Sequence, residues 1–117
     1  MNRPTRFYSN RFYSNKQEKQ IAKAVGGKKV ANSGATKFNK GDVTTDKWLI
    51  EAKTCTREKQ SFTIKHDWLM KNKEEAFDMG KEYNALAFNF GPDTQNYYVI
   101  DEYTFKIMLE LLSKEEN

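Results

Sequence analysis

The segment from Asp42 to Lys53 places the tightest limit on how this chain can fold, because it reads as two strands joined by a short turn. A turn at residues 46–47 sets a register with three opposed pairs: Thr45 with Trp48, Val43 with Ile50, and Asp42 with Glu51. Since successive side chains of a strand point to opposite faces, Glu51 and Lys53 share one face. The other face, which carries Trp48, Ile50 and Ala52, is predicted to pack into the core.

Two carboxylates face each other across this hairpin. Directly opposed side chains have Cβ atoms about 4.5–5.5 Å apart, and like charges in that position repel. A cation between them removes the repulsion, and Mg²⁺ prefers carboxylate oxygen. We therefore predict that Asp42 and Glu51 bind one or two Mg²⁺ or Mn²⁺ ions, with the carbonyl oxygen of Ala52 as a further ligand. Such a metal site can hydrolyse a phosphodiester bond. In that reaction Lys53 would orient the attacking water or offset the negative charge on the phosphoryl transition state. The alternative is an exposed hairpin with a solvated Glu/Lys face.

Basic residues are concentrated in the first third of the chain. Residues 1–40 contain ten Lys or Arg and one acid, Glu18, whereas residues 41–117 contain ten Lys or Arg and fifteen Asp or Glu. A basic region on an otherwise acidic chain is typical of a surface that binds a polyanion such as DNA. The predicted DNA-binding residues are Arg6, Arg11, Lys28, Lys29, Ser33, Lys37, Lys40 and Lys65. The alternative is a lysine-rich surface that is only solvated.

A perfect tandem repeat stands near the N-terminus, with RFYSN at residues 6–10 and again at residues 11–15. We predict that residues 1–14 form a flexible arm. An arginine with two aromatic rings per unit can contact phosphates and stack on bases. Equally open are a duplication without function and an arm that packs on a neighbouring subunit.

Residues 15–117 are predicted to form one α/β domain, a mixed central β-sheet flanked by helices in the order α-β-β-β-α-β-β-α. Asn15 and Glu18 form a capping-box pattern for a first helix that ends at Gly26-Gly27. The other predicted elements are a possible strand at 28–32, the hairpin, strands at 61–64, 85–90 and 97–100, a helix from Asp67 to about Tyr83, and a final helix capped by Asp101. The apolar residues assigned to the two later helices are Leu69, Ala76, Phe77 and Tyr83, then Phe105, Met108, Leu109 and Leu112.

Composition excludes several classes of protein. The longest apolar runs, such as residues 97–100, are too short to span a membrane, and the polar N-terminus lacks the apolar core of a signal peptide. A single cysteine, Cys55, cannot form an internal disulfide. With only one histidine, His66, the chain cannot build a zinc site from the usual nitrogen and sulfur ligands. We predict a cytoplasmic protein with no membrane partner.

The motifs at residues 32–35 (NSGA), 40–43 (KGDV) and 51–54 (EAKT) resemble the PD-(D/E)XK nuclease superfamily, and within it the small Holliday-junction resolvases of archaeal and phage type. Those proteins share an acid in a first helix, a Ser-Gly loop, an Asp on a strand and E-x-K on the next strand. The resemblance places these roles on Glu18, Ser33-Gly34, Asp42, and Glu51 with Lys53. Glu18 would then complete the metal site. Gly41 stands where the family has a proline, and the specific motifs lie within residues 32–54.

The resemblance implies a Mg²⁺- or Mn²⁺-dependent, structure-selective DNA endonuclease with a restriction-endonuclease-like core. The leading hypothesis is a junction resolvase, a homodimer whose two sites nick opposing strands of a four-way junction. A phage-like source would place it in the host cytoplasm. The second hypothesis is a nickase, flap or restriction-like nuclease on the same scaffold, and the third is a nucleic-acid-binding protein that does not cut. The dimer interface is predicted on the last helix or the aromatic arm.

Overall fold

A five-stranded β-sheet with helices against both faces forms the body of the protein. The computed structural model describes residues 9–30 and 42–116. Within these residues the helices are α1 (Asn10–Val25), α2 (His66–Asp78) and α3 (Glu102–Glu116). The strands are β1 (Lys28–Lys29), β2 (Asp42–Thr44), β3 (Trp48–Lys53), β4 (Tyr83–Phe88) and β5 (Tyr97–Val99). The predicted fold class, α/β with a mixed sheet flanked by helices, is confirmed.

The strands lie in the sheet in the order in which they occur in the chain, β1-β2-β3-β4-β5. Neighbouring strands are antiparallel except for β3 and β4, which are parallel. A parallel pair requires a crossover connection, and α2 supplies it. The sheet is therefore an antiparallel unit of three strands and an antiparallel pair, joined through one β-α-β crossover.

The hairpin of β2 and β3 adopts the predicted register. The opposed residues are Asp42 with Glu51, Val43 with Ile50, and Thr44 with Leu49. At the turn, the N–H of Thr45 donates to the carbonyl of Trp48 at 3.0 Å. The N–H of Trp48 donates back to the hydroxyl of Thr45 at 3.1 Å. The threonine side chain thus provides the second closing bond of a turn that contains no glycine.

Each face of the sheet is covered by one helix. On the α1 face, the buried core cluster comprises Ile21, Val43, Ile50, Ala85 and Ala87. On the α2 face, Leu49 and Leu86 are fully buried, and the side-chain amide of Asn84 donates to Asn72 of α2 at 2.9 Å. Because neighbouring residues of a strand point to opposite faces, Ile50 faces α1 while Glu51 faces α2.

Helix α1 begins earlier than predicted. Its N-cap is Ser9, whose hydroxyl accepts from the N–H of Phe12 at 3.2 Å, so Asn15 lies inside the helix and does not cap it. Residues 10–14, which we predicted as part of a flexible arm, are helical, and Tyr13 is buried. Burial of that ring favours extending the helix toward the N-terminus. The predicted end is confirmed at Gly26, whose φ of 70° takes the chain out of the helix.

The strand predicted at residues 61–64 is wrong. These residues are irregular, although the ring of Phe62 stacks on that of Phe88 with centroids 5.0 Å apart. Strand β3 pairs with β2 on one edge and with β4 on the other, so residues 61–64 cannot pair with β3. The predicted element order still matches the described elements, because the short strand at 28–29 supplies the third strand before α2.

The boundaries and the inner face of α2 also differ from the prediction. The helix is capped by Lys65 rather than Asp67, and it ends at Asp78, so Tyr83 begins β4 instead of ending the helix. Phe77 is 83% exposed, because the buried face consists of Asn72, Glu75 and Ala76. Successive helical residues are about 100° apart, which turns Phe77 away from that face. The prediction was wrong because it assigned the buried face of α2 from apolar residues alone, whereas that face includes the polar residues Asn72 and Glu75.

Helix α3 begins as predicted, with the side chain of Asp101 accepting from the N–H of Thr104 at 2.9 Å. Ile107 is half-buried, whereas the other large apolar residues of the helix are exposed: Tyr103, Phe105, Met108, Leu109, Leu111 and Leu112. Among the described residues, no helix has both the length and the apolar character needed to cross a membrane.

Candidate metal centre

Three carboxylates meet on the α2 face of the sheet. Asp42 comes from β2, Glu51 lies opposite it on β3, and Glu75 comes from α2; one oxygen of each lies within 4.8 Å of the others. All three side chains are buried, and Asp42 is buried completely. The hairpin register brings the first two together, and the crossover helix adds the third. We call these three residues the carboxylate cluster.

Several oxygens of the carboxylate cluster have no hydrogen-bond partner within residues 9–30 and 42–116. They are both oxygens of Asp42, Oε1 of Glu51 and Oε1 of Glu75. A buried carboxylate without a partner is costly, and proteins usually pair such a group or bind a metal ion beside it. Two oxygens on opposite sides of Mg²⁺ are about 4.2 Å apart, so these groups need move little to share one ion. A donor set of hard, negatively charged oxygens fits Mg²⁺ or Mn²⁺.

Two of the three carboxyl groups hold their protons more tightly than usual when no cation is bound. Burial raises the pKa of Asp42 to about 8, and the nearby charges of Glu51 and Glu75 add to that rise. Burial also raises the pKa of Glu75 above its ordinary value. A divalent cation has the opposite effect, because it stabilises ionised oxygen ligands. The site is therefore one where protons and a metal ion compete.

Lys53 places a positive charge beside the carboxylate cluster. Its Nζ lies 2.8 Å from Oε2 of Glu51, which leaves Oε1 of the same carboxylate for a cation. The ammonium also lies 4.3 Å from the ring centre of Trp68 on α2, a cation–π contact that restrains the long side chain. The Lys53 side chain is 26% exposed. Its ammonium therefore lies between the buried carboxylates and the solvent from which a substrate would approach.

Glu18 is a fourth buried acid close to the carboxylate cluster. It lies inside α1, does not cap the helix, and its Oε1 lies 3.5 Å from Nζ of Lys29. Burial raises the pKa of Glu18, and Lys29 partly offsets that rise. The charge of Glu18 also contributes to the raised pKa of Asp42. Its oxygens are not among the three within 4.8 Å of one another, so ligation by Glu18 stays a prediction.

The structure describes the predicted carbonyl ligand, Ala52, and four of the eight predicted DNA-binding residues. Ala52 lies on β3 with its side chain against the core cluster, and ligation by its carbonyl stays a prediction. The DNA-binding candidates that fall outside the described residues are Arg6, Ser33, Lys37 and Lys40. Those that are exposed are Arg11, Lys28, Lys29 and Lys65. Nζ of Lys65 lies 5.7 Å from the same Trp68 ring that contacts Lys53, which brings Lys65 to the rim of the centre.

Glu75 was missed by the sequence reasoning. It directly precedes Ala76, which was assigned to the inner face of α2, and it follows the buried Asn72 by one turn. An acid on the inner side of the helix that follows an E-x-K strand was the available signal. It was not used because the face of α2 was read from its apolar residues alone.

Replacing Glu75 with glutamine is expected to weaken Mn²⁺ binding by about 10–100-fold, because the amide retains the shape of the side chain but not its charge. Isothermal titration calorimetry of the purified protein measures the affinity directly. The matched control is Glu74→Gln, since Glu74 is the preceding residue of the same helix and is exposed. If both variants bind Mn²⁺ as the wild type does, Glu75 is not a ligand.

Comparison with known proteins reveals no relative. No family model, curated protein or solved structure shows a significant match to this chain. The resemblance of residues 32–54 to the PD-(D/E)XK superfamily therefore stays a prediction, and function must be inferred from the centre itself.

Proposed function

We propose that the protein is a divalent-metal-dependent nuclease that hydrolyses phosphodiester bonds in DNA. The observation that carries the proposal is the group of buried carboxylate oxygens without hydrogen-bond partners in the described residues, gathered beside the ammonium of Lys53. Phosphodiester hydrolysis needs a Lewis acid and a positive group that stabilises developing charge. A purely structural role for the Glu51–Lys53 ion pair would not explain why two further carboxylates, Asp42 and Glu75, are buried beside it.

The residues of the centre have distinct roles. Asp42, Glu51 and Glu75 would hold the cation, which would supply a Lewis acid for a phosphate oxygen and lower the pKa of a bound water. Lys53, restrained by Glu51 and Trp68, can donate to the attacking water or to a phosphate oxygen. Burial of the carboxylate cluster lowers the local dielectric constant, so each of these charge interactions is stronger than at the surface.

DNA is the proposed substrate because of the distribution of positive charge. Residues 1–40 contain ten Lys or Arg and one acid, and Lys28 and Lys29 are exposed on β1, beside the strand that carries Asp42. Binding through phosphates releases counterions, so the affinity should fall steeply with salt. The finer proposal is a Holliday-junction resolvase acting in the cytoplasm. It is supported by the resemblance of residues 32–54 and by the buried Glu18 near Asp42.

The deciding experiment compares cleavage of a labelled four-way junction, a flap and a linear duplex in Mg²⁺ and in Mn²⁺. The proteins compared are the wild type, Glu51→Gln, and the control Glu58→Gln, an exposed glutamate shortly after β3. We expect paired, symmetric nicks on the junction from the wild type and from Glu58→Gln, and none from Glu51→Gln.

Other results would limit or overturn the proposal. Preferential cutting of the flap or the duplex would keep the nuclease and exclude the resolvase. Binding of all three DNAs without cutting, in either metal ion, would exclude the nuclease and leave a nucleic-acid-binding protein. Cleavage that survives Glu51→Gln would show that the carboxylate cluster is not the catalytic centre.

A further inference from the structure

We propose that Gln17 is a positioning residue for Lys53, the lysine that the proposed nuclease uses beside its carboxylate cluster. This role rests on the proposed function, and it falls on a helix residue that the sequence reasoning did not single out. Gln17 directly precedes Glu18 in α1 and is 2% exposed. Its side-chain amide contacts the main chain of β3 at Lys53. Gln17 therefore acts through the backbone of that lysine and not as a ligand of the cation.

The amide of Gln17 forms three hydrogen bonds. Its Nε2 donates to the carbonyl oxygen of Lys53 at 3.2 Å and to Oδ1 of Asn96 at 3.1 Å. Its Oε1 accepts from the hydroxyl of Thr54 at 2.8 Å. Because the carbonyl of Lys53 can only accept, the nitrogen of the amide must face it, which fixes the orientation of the side chain. Gln17 thus binds two consecutive residues at the end of β3.

The sheet supports Lys53 less than the residues before it. Strand β3 ends at Lys53, and within the described residues its pairing with β2 ends two residues earlier, where Glu51 lies opposite Asp42. Pairing with β4 continues as far as Lys53, which lies opposite Phe88. A strand end with one neighbouring strand opens more easily than the middle of a sheet. The hydrogen bonds from Gln17 oppose that opening.

The same set of hydrogen bonds joins the carboxyl ends of the two parallel strands. Asn96 lies just before β5, and its Oδ1 accepts from Nδ2 of Asn89, which directly follows β4, at 3.4 Å. Oδ1 of Asn89 accepts in turn from the N–H of Gly91 at 3.3 Å. Asn89 is 2% exposed, and buried polar groups that are bonded to one another favour one arrangement of the chain. The ends of β3 and β4 are therefore fixed relative to α1.

Attachment of α1 to the turn at residues 91–96 does not by itself explain the contacts of Gln17. Gln20 lies one turn further along α1 and donates to the carboxylate of Asp93 at 3.3 Å, so it ties the helix to the same turn. That contact lies at the surface. Gln17 differs from Gln20 because it is buried and because its hydrogen bonds continue to the main chain of Lys53.

The position of the Lys53 main chain matters because the side chain is held at its other end. Nζ lies 2.8 Å from Oε2 of Glu51 and 4.3 Å from the ring centre of Trp68. The side chain thus spans a fixed distance between the hydrogen bond at its carbonyl and these contacts at its ammonium. Release of the backbone end lets the ammonium shift, and a displacement of about 1 Å at a reacting centre can lower a rate by about 10²-fold.

Steady-state cleavage kinetics of Gln17→Met test this role on the DNA that the wild type cuts. Methionine has a similar length but cannot donate to the carbonyl of Lys53. We expect kcat to fall by about 10–100-fold. KM for DNA, and the Mn²⁺ affinity measured by calorimetry, should stay within about 2-fold of the wild type because their contacts are unchanged. The matched control is Gln20→Met, which removes an amide from the same helix and should keep the wild-type kcat.

A milder variant keeps the test decisive if Gln17→Met does not fold. Thr54→Val retains the shape of the side chain and removes the 2.8 Å hydrogen bond to Oε1 of Gln17. It should lower kcat by about 2–10-fold, again with an unchanged KM. An unchanged kcat in either variant that folds, an equal loss in Gln20→Met, or a raised KM with an unchanged kcat would each overturn the proposal.

A measurement by NMR separates this proposal from the proposed nuclease. The side-chain Nζ signal of Lys53 reports the surroundings of its ammonium and requires neither DNA nor metal. It should shift in Gln17→Met and keep its position in Gln20→Met. If the wild type cuts no DNA but the signal shifts in this way, the nuclease is excluded and Gln17 still positions Lys53. A signal that is the same in Gln17→Met and in the wild type would overturn the positioning role whatever the activity.

Discussion

Replacing Asp42 with asparagine is expected to abolish DNA cleavage and, in the absence of metal, to make the protein harder to unfold at about pH 8. Asp42 is fully buried and neither of its oxygens has a hydrogen-bond partner in the described residues. Loss of this ligand should lower the cleavage rate by at least about 10³-fold, which corresponds to about 4 kcal/mol. The same substitution removes a buried group that repels Glu51 and Glu75, so the free energy of unfolding should rise by about 1–3 kcal/mol.

Single-turnover cleavage and urea unfolding in EDTA measure the two effects on the same preparations. The control is Asp46→Asn, which makes the same chemical change at the exposed turn of the same hairpin and should alter neither quantity. Opposite signs for activity and stability distinguish a functional carboxylate from a structural one. A variant that is both inactive and less stable would contradict the assignment, because Asp42 would then be supporting the fold.

The stability of the metal-free protein is expected to fall as the pH rises from about 4 to about 8, and Mg²⁺ should restore it at the upper end. The pKa of Asp42 is about 8 in the folded protein and about 3.9 in the unfolded chain. Between these values the folded state binds a proton that the unfolded state has released. Stability is therefore fully present below the lower value and is lost as the pH approaches the higher one, with a total effect on the order of a few kcal/mol.

Thermal unfolding in EDTA and in excess Mg²⁺, at about pH 5 and about pH 8, measures this dependence. Magnesium at about 100 times its dissociation constant should contribute about 2.7 kcal/mol near pH 8. It should contribute far less near pH 5, where Asp42 holds a proton. The Asp42→Asn variant should lose most of the pH dependence, apart from the part contributed by Glu75 and Glu18, and also the response to Mg²⁺. An equal Mg²⁺ response at both pH values would place the ion elsewhere on the protein.

The features that could be predicted from the sequence are those set by short-range geometry. The alternation in Trp48–Lys53 and the length of the turn fix the hairpin register, and with it the approach of Asp42 to Glu51. The start of α1 could not be predicted in the same way. The RFYSN repeat offers serine and asparagine caps twice, and only the tertiary burial of Tyr13 selects Ser9.

The third carboxylate, Glu75, was missed for a related cause. The inner face of α2 is partly polar, with Asn72 bonded to Asn84 and Glu75 above the hairpin. An apolar pattern cannot identify such a face. The crossover from β3 to β4 identifies it, because that connection decides which side of α2 meets the sheet.

The sequential order of the strands has a consequence for how the chain folds. Most strand pairs join elements that are close in the chain, and only β3 and β4 pair across the helix between them. Pairing within each antiparallel unit is therefore more local than the β3–β4 pairing, which must close the longer loop of the crossover. The carboxylate cluster spans only a hairpin and the next helix, so its loops close early, before β4, β5 and α3 have been synthesised. The chain can thus bring its three carboxylates together before the strands on the other side of β3 have been added.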